Sequence, residues 1–166
     1  MKEGQIRILK TLSEATNRMD LNMFAKAVDL HPSQTITEIQ ELARDGFLHK
    51  LEGGFGLTEK GKNFLKILEP VKSEMRFHFY VNIDKPLGFS AQSLEEFYRQ
   101  IKQVVTDSLE FHLYRGDFES WLYNVLKDSE LADNVKILKK ERVKGEDLRK
   151  AFLKTIDTKY GIGELL

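Results

Sequence analysis

The segment from Asp20 to Leu68 carries the turn and cap signals that most constrain the fold of this chain. His31-Pro32 separates two short stretches that have apolar residues at helical spacing. The residue before a proline avoids the α region, so the first of the two helices is expected to end there. Proline suits the first turn of a helix, so the second helix is expected to begin there. Gly46 supplies a stop for the second of these helices. Gly53-Gly54 then separates two short β-like runs, FLHKLE and FGLT, which is a hairpin signal. The segment therefore predicts two helices, a hairpin and a closing helix.

Apolar spacing predicts which faces of these helices are buried. A first helix is expected over about residues 3–15, and Asp20 and Thr58 are expected to cap the second and the closing helices. The predicted buried positions, helix by helix, are Ile6, Ile8, Leu9 and Leu12; Phe24, Ala27 and Val28; Ile36, Ile39, Leu42 and Ala43; and Phe64, Leu65 and Leu68. The opposite face of the third helix is predicted to present Gln34, Thr37, Glu38, Glu41 and Arg44.

The stretch from Ile6 to Leu68 resembles archaeal and bacterial winged-helix regulator domains, above all in the run ELARDGFLHKLEGGFGLTEKGKNFL. In that family a recognition helix ends at an Asp-Gly or similar pair, strands enclose the wing, and a Leu-Thr-x-Lys-Gly phrase starts the final helix. Residues 57–61 match that phrase residue for residue. The resemblance implies that the third helix enters the major groove of double-stranded DNA.

A DNA-binding site can be assigned on that basis. Base edges would be met by the polar side chains of the third helix, and phosphates by its N-terminus and by lysines around the hairpin. The candidate DNA-binding residues are Ser33, Gln34, Thr37, Gln40, Glu41, Arg44, Lys50, Lys60 and Lys62. Glu38 and Glu41 weaken the electrostatic attraction to phosphates, so docking of a protein partner is the alternative function.

Composition narrows the classes of function that the chain can have. Lysine plus arginine equals aspartate plus glutamate at 26 each, so any nucleic-acid binding must come from a local patch or a dimer. With no cysteine, disulfides and thiolate metal sites are excluded, and a cytoplasmic location is expected. No apolar run is long enough for a membrane span, no signal peptide is apparent, and no motif indicates a cofactor, a metal or an enzyme.

The second part of the chain, from Pro70, opens with a predicted strand. Apolar and polar residues alternate from Met75 to Ile83, and Lys85-Pro86-Leu87-Gly88 is expected to end the strand. A lone strand leaves its backbone groups unpaired. Two partners are possible: the weaker run VKILKKERV near 135–143, or residues 75–83 of a second copy, which would make a homodimer.

A helix with a capping box at Ser93 is predicted to continue to Arg115, where Gly116 ends it. Its apolar stripe is Leu94, Phe97, Ile101, Val104 and Val105, and the same stripe then places two polar residues, Ser108 and His112, on the buried face. This pair is interpreted either as a buried histidine bonded to local groups such as Asp117, or as part of a hydrolase triad completed by Asp107 or Asp117. A weak metal or small-ligand site at His112 with His78 is a further alternative.

Three more helices are expected after Gly116. Asp117 is a candidate cap for the first, Ser129 or Asp128 for the second, and Gly145 precedes the third. The predicted buried residues are Phe118, Trp121, Leu122, Val125, Leu131, Val135, Leu138, Leu148, Phe152 and Ile156.

The stretch from Phe77 to Tyr160 resembles an uncharacterised archaeal and bacterial domain family, through SLEEF, SLEFHLYRGDFESWLYNVLKDSELA and GEDLRKAF. That resemblance implies no activity, and it marks Ser108, His112, Asp117 and Trp121 as a polar cluster, structural or ligand-binding.

These expectations combine into one prediction. The fold class is α+β and mainly helical: a winged helix-turn-helix over residues 1–69, then a mostly helical domain with one long N-terminal strand over residues 70–166. The expected function is DNA-binding transcription regulation, with the second domain dimerising or sensing an effector. A protein-binding adaptor is the alternative, and a hydrolase using Ser108 and His112 comes third.

Overall fold

In the computed structural model, which describes residues 1–15 and 18–165, the fold is α+β and mainly helical, with two small antiparallel sheets. The chain divides into two compact units, Met1–Lys66 and Ile67–Leu166. We call them the first unit and the second unit and describe each by itself.

The described residues of the first unit form three helices followed by a hairpin and the start of a fourth helix. The elements are α1 (Glu3–Glu14), α2 (Leu21–Ala27), α3 (Pro32–Arg44), β1 (Leu48–Leu51), β2 (Gly54–Leu57) and α4 (Glu59–Leu68). β1 and β2 pair antiparallel, with Leu48 opposite Leu57 and Leu51 opposite Gly54. Glu52 and Gly53 therefore form the turn, where the positive φ of Gly53 is a conformation that favours glycine.

The predicted caps of this unit are confirmed. The Asp20 carboxylate accepts a hydrogen bond from the Met23 N–H at 2.8 Å, and α3 begins at Pro32 after His31. The Thr58 hydroxyl accepts from the Gly61 N–H and donates to the Gly46 carbonyl, so it joins the start of α4 to the end of α3. These bonds satisfy backbone groups that a helix end leaves open.

Two predicted buried faces are wrong in detail. In α2 the buried alanine is Ala25, whereas Ala27 is exposed. In α3 the side chain of Ile36 is 42% exposed, while Glu38 is buried. The buried face of α3 is therefore offset from its apolar spacing, and the Glu38 carboxylate on that face pairs with the largely exposed Lys2 at the start of α1.

The second unit begins with a hairpin and continues as helices. After a short 3-10 turn (Ser73–Met75), its elements are β3 (Phe77–Asn82), β4 (Lys85–Ala91), α5 (Leu94–Gln103), α6 (Thr106–Arg115), α7 (Asp117–Asn124), α8 (Ser129–Lys140), α9 (Gly145–Tyr160) and α10 (Ile162–Leu165).

The expected single strand is wrong, because β3 pairs with β4, the segment that was expected to end it. Phe77 lies opposite Ala91 and His78 opposite Ser90, with irregular register nearer the turn. The run near 135–143 does not supply a strand either, since it continues α8 to Lys140. Because β4 satisfies one edge of β3, pairing with a second copy is not needed to provide a partner strand.

The predicted helix from Ser93 to Arg115 is also wrong, because it is two helices. Val104 and Val105 have extended backbone conformations between α5 and α6, and Val105 is 54% exposed instead of continuing the buried stripe. β-branched residues such as valine favour extended backbone, so the break between the two helices costs little conformational free energy at these positions. Ser93 caps α5 through the Glu96 N–H, whereas the Glu96 carboxylate accepts from the Gln92 N–H.

An aromatic cluster forms the core of the second unit. Phe77 and Phe79 on β3 pack against Phe97 on α5 and Phe118 on α7, with ring centroids 4.8–6.4 Å apart. The hairpin is thereby held on the helices. Asp128 caps α8 by accepting from the Leu131 N–H, as one of the two predicted alternatives.

Candidate nucleic-acid interface and buried histidine cluster

The exposed face of α3 is the first candidate site. Ser33, Thr37, Gln40 and Arg44 are all exposed, and successive spacings of four, three and four residues put them on one side of the helix. Gln34 is exposed beside them. The face is polar and carries one positive side chain, and its serine, threonine and glutamine groups can donate or accept hydrogen bonds.

The acidic residues of α3 are withdrawn from this face by Lys2. The Lys2 ammonium lies 3.1 Å from Oε1 of Glu38 and 2.8 Å from Oε2 of Glu41, and Gln5 also donates to Glu41. The hydrogen bonds to Glu41 and Glu38 raise the pKa of Lys2, and the bond from Lys2 lowers the pKa of Glu41. Both carboxylates are therefore paired toward α1.

The lysines assigned to phosphates have different surroundings. Lys60 donates to the Asp45 carbonyl and lies over the Phe47 ring, and Lys62 pairs with Glu59. Lys50 on β1 is exposed, and within the described residues it makes no ion pair. Arg44 lies beside Asp45, 3.2 Å from its carboxylate, with most of its side chain in solvent.

Sequence reasoning missed two cations that shape the first unit. Lys2 reaches α3 across 36 residues, and Arg18 donates from Nη2 to the Glu52 carbonyl at the hairpin turn. Neither contact has a local signal, because each joins residues far apart in the chain. Only the tertiary structure brings them together.

His112 is the centre of the second candidate site. It is 3% exposed on α6, and its Nε2 accepts from the Tyr80 N–H of β3 at 2.8 Å. Its Nδ1 lies 2.8 Å from the Asp117 carboxylate, which also pairs with Arg115. The ring is therefore neutral with its proton on Nδ1, and burial lowers the pKa of His112 even though Asp117 acts to raise it. Asp117 does not cap α7; its side chain is used for this bond.

Ser108 does not complete a catalytic arrangement with His112. Its hydroxyl is fully buried and has no hydrogen-bond partner among the described residues. Both ring nitrogens of His112 are already engaged, so neither is free to take a proton from Ser108. The geometry corresponds to the buried-histidine interpretation of this pair.

The other residues around His112 support a structural role. The Trp121 Nε1–H donates to the Met75 carbonyl at 2.7 Å, so the indole is buried with its polar atom satisfied. His78 is exposed on β3, and the described residues contain no group of three or more histidine, cysteine or acidic side chains that could hold a metal ion. The site therefore ties β3, α6 and α7 together.

Comparison with known proteins gives one family. Residues 72–165 match the family of unknown function DUF5752, and this stretch covers more than half of the chain. The chain belongs to this family. The match agrees with the expected uncharacterised C-terminal domain. No curated protein and no solved structure matches the chain. Within the described residues, every helix is too short or too polar to cross a membrane.

Proposed function

We propose that the first unit is a winged helix that binds double-stranded DNA, with α3 as its recognition helix and the β1–β2 hairpin as its wing. The order of helix, helix, helix, hairpin and helix supports this assignment. The chain would then act as a transcription regulator in the cytoplasm, with the second unit in a dimerising or sensing role.

The observation that carries the proposal is the pairing of Lys2 with Glu38 and Glu41. Without it, α3 would carry two carboxylates against Arg44 alone near the phosphates. With it, the exposed face of α3 combines neutral hydrogen-bonding side chains with one arginine, which suits base-edge contacts in a major groove. The exposed Lys50 on the hairpin supports a phosphate contact from the proposed wing.

The modest number of cations makes a second copy useful. Two recognition helices double the contacts of a module whose chain has no net charge. Sedimentation of the protein with and without DNA tests this part of the proposal. A single chain per DNA molecule at saturation contradicts it.

The proposal is tested by mobility shift with a pool of random-sequence duplexes at low salt, followed by selection and affinity measurement on the enriched sequence. Arg44→Ala is expected to cost about 1–3 kcal/mol on that sequence and to relax its specificity. Lys50→Ala is expected to weaken all duplexes alike and to reduce the slope of log K against log salt by about 1.

Lys10→Ala is the matched control, because Lys10 is an exposed cation on α1 outside α3 and the hairpin. It should leave both the affinity and the salt slope unchanged. A protein that shifts no duplex at low salt is not a DNA-binding winged helix, and protein docking then becomes the better explanation of the fold.

A further inference from the structure

An apolar cavity of about 510 Å³ lies in the first unit. Its walls come from the end of α1, the start of α2, the middle of α3 and the tip of the hairpin, and they include Leu12, Phe24, Ile39 and Phe55. Cavities of roughly 300–1,000 Å³ with mostly apolar walls are typical of small-molecule sites. The volume is thus suited to a compact organic ligand.

Arg18 is the one charged side chain among the described residues that line this cavity. Its Nη2 donates to the Glu52 carbonyl at 3.0 Å, and its guanidinium lies against Gly53, where an added Cβ would be 2.7 Å from Cζ. Among the described residues it pairs with no carboxylate. The guanidinium is therefore positioned by a backbone carbonyl, and no carboxylate of the described residues compensates its charge.

We propose that this cavity binds a small apolar monocarboxylate, with the carboxylate on Arg18 and the hydrocarbon part between α1, α2 and α3. A guanidinium offers a planar pair of N–H donors that matches a carboxylate. The apolar walls stabilise the rest of the ligand by removing its surface from water. A neutral ligand of the same shape would be stabilised by the apolar walls but not by the guanidinium.

The cavity also touches the face of α3 that the proposed function assigns to DNA. Gln40 lines the cavity and belongs to that exposed face, and the half-exposed Ile36 lies at the same wall. An occupant would change the packing of both side chains. If the first unit binds DNA as proposed, the ligand is an effector that alters the affinity of the chain for DNA.

Calorimetric titration of the full chain with 2-naphthoate, decanoate and the neutral 2-naphthamide tests the site without DNA. At least one of the two acids should bind, and 2-naphthamide should bind about tenfold or more weakly than 2-naphthoate. Arg18→Met should remove the preference for the acid, and Lys10→Met, the matched loss of an exposed cation on α1, should keep it. Equal binding of acid and amide, or no binding of either acid, overturns the proposal.

Ile36→Trp provides a second variant that does not remove the hairpin contact of Arg18. Because Ile36 lines the cavity and is already 42% exposed, the larger side chain can be accommodated while it occupies part of the cavity. Binding of the acid should then fall about tenfold or more. An acid that binds Ile36→Trp as it binds the natural chain occupies another place, which contradicts the assignment.

The effector role is measured as DNA affinity with and without a saturating acid. A shift in the dissociation constant for DNA supports it, and an unchanged constant despite acid binding overturns it. Acid binding by a chain that shifts no DNA contradicts the proposed function while leaving the ligand site in place.

Discussion

At the scale of single residues, His112 shows how a polar side chain is used inside an apolar core. Its two nitrogens join the backbone of β3 to a carboxylate on α7. A buried polar group with both partners present stabilises one arrangement of the core, because losing either partner leaves a buried donor or acceptor unpaired. Asp117 remains partly exposed and is shared with Arg115, so its charge is compensated on the surface.

His112→Phe is expected to lower the free energy of unfolding near neutral pH by about 1–3 kcal/mol, because the Tyr80 N–H loses its acceptor. His78→Phe, on an exposed histidine of the same hairpin, is the control and should change stability little. Urea unfolding followed by circular dichroism measures both. Equal stability of His112→Phe and the natural chain would contradict a structural role for the ring.

The same residue predicts a dependence on pH. Burial lowers the pKa of His112 in the folded state below its ordinary value of about 6.5. Folding then favours the neutral ring, so this stabilisation is complete above about pH 6.5 and is lost as pH falls through the folded-state pKa. Unfolding free energies measured across this range should fall more steeply in the natural chain than in His112→Phe. Parallel curves for the two proteins would contradict the assignment.

At the scale of elements, close approach of backbones explains one glycine of the phrase that opens α4. A Cβ at Gly61 would lie 2.4 Å from the Phe47 carbonyl oxygen, so only glycine lets α4 pack this closely against the residue before β1. The phrase matched in the sequence therefore has a steric reason that becomes visible in the fold.

Gly61→Ala is expected to destabilise the first unit by about 1–3 kcal/mol, since backbone has to move to admit the methyl group. Gly54→Ala is the matched control, because a Cβ there would have no heavy atom within 4 Å. Thermal unfolding by far-ultraviolet circular dichroism compares the two. A Gly61→Ala chain as stable as Gly54→Ala would show that the contact relaxes without cost.

The contact between α1 and α3 depends on Lys2, since Glu38 is buried and its ammonium partner comes from the N-terminus of α1. Lys2→Met should lower the melting temperature, because it leaves a buried carboxylate without its cation. Adding Glu38→Gln should recover part of the loss by removing the charge. If the double variant melts below Lys2→Met, the pair is not the source of the effect.

At the scale of the whole molecule, the chain consists of two compact units. The residues in the buried aromatic core of the second unit all follow Lys66, and Trp121, the single tryptophan of the chain, belongs to that core. Tryptophan fluorescence therefore reports on the second unit, whereas circular dichroism reports on helices of both.

Gly61→Ala is expected to move the circular-dichroism transition of the first unit more than the fluorescence midpoint of Trp121, because Gly61 lies in the part of α4 that belongs to the first unit. Separate buried cores unfold separately unless an interface couples them. Denaturant titration with both probes on the same sample makes the comparison. Equal shifts of both midpoints in Gly61→Ala would show that the units unfold together.

Local chemistry determined much of this protein from the sequence alone. Four features depend only on the backbone preferences of a few adjacent residues, and the structure has each of them where it was expected. They are the cap at Asp20, the start of α3 at Pro32, the turn at Gly53 and the helix end at Gly116. Ser108 and His112 are buried as expected, although the continuous helix from which their burial was predicted is two helices. These signals act within a few residues of one another, so the features they specify can be predicted before any tertiary contact is known.

Tertiary structure decided what spacing could not. It offset the buried face of α3 so that Glu38 is buried and paired with Lys2, paired β3 with the glycine-containing β4, and divided one apolar stripe into α5 and α6. The first two outcomes depend on partner residues that lie outside the local pattern. The third depends on whether the backbone at Val104 and Val105 is helical or extended. The exposed face of α3 is of this kind, since it is set by the residues that the rest of the fold buries.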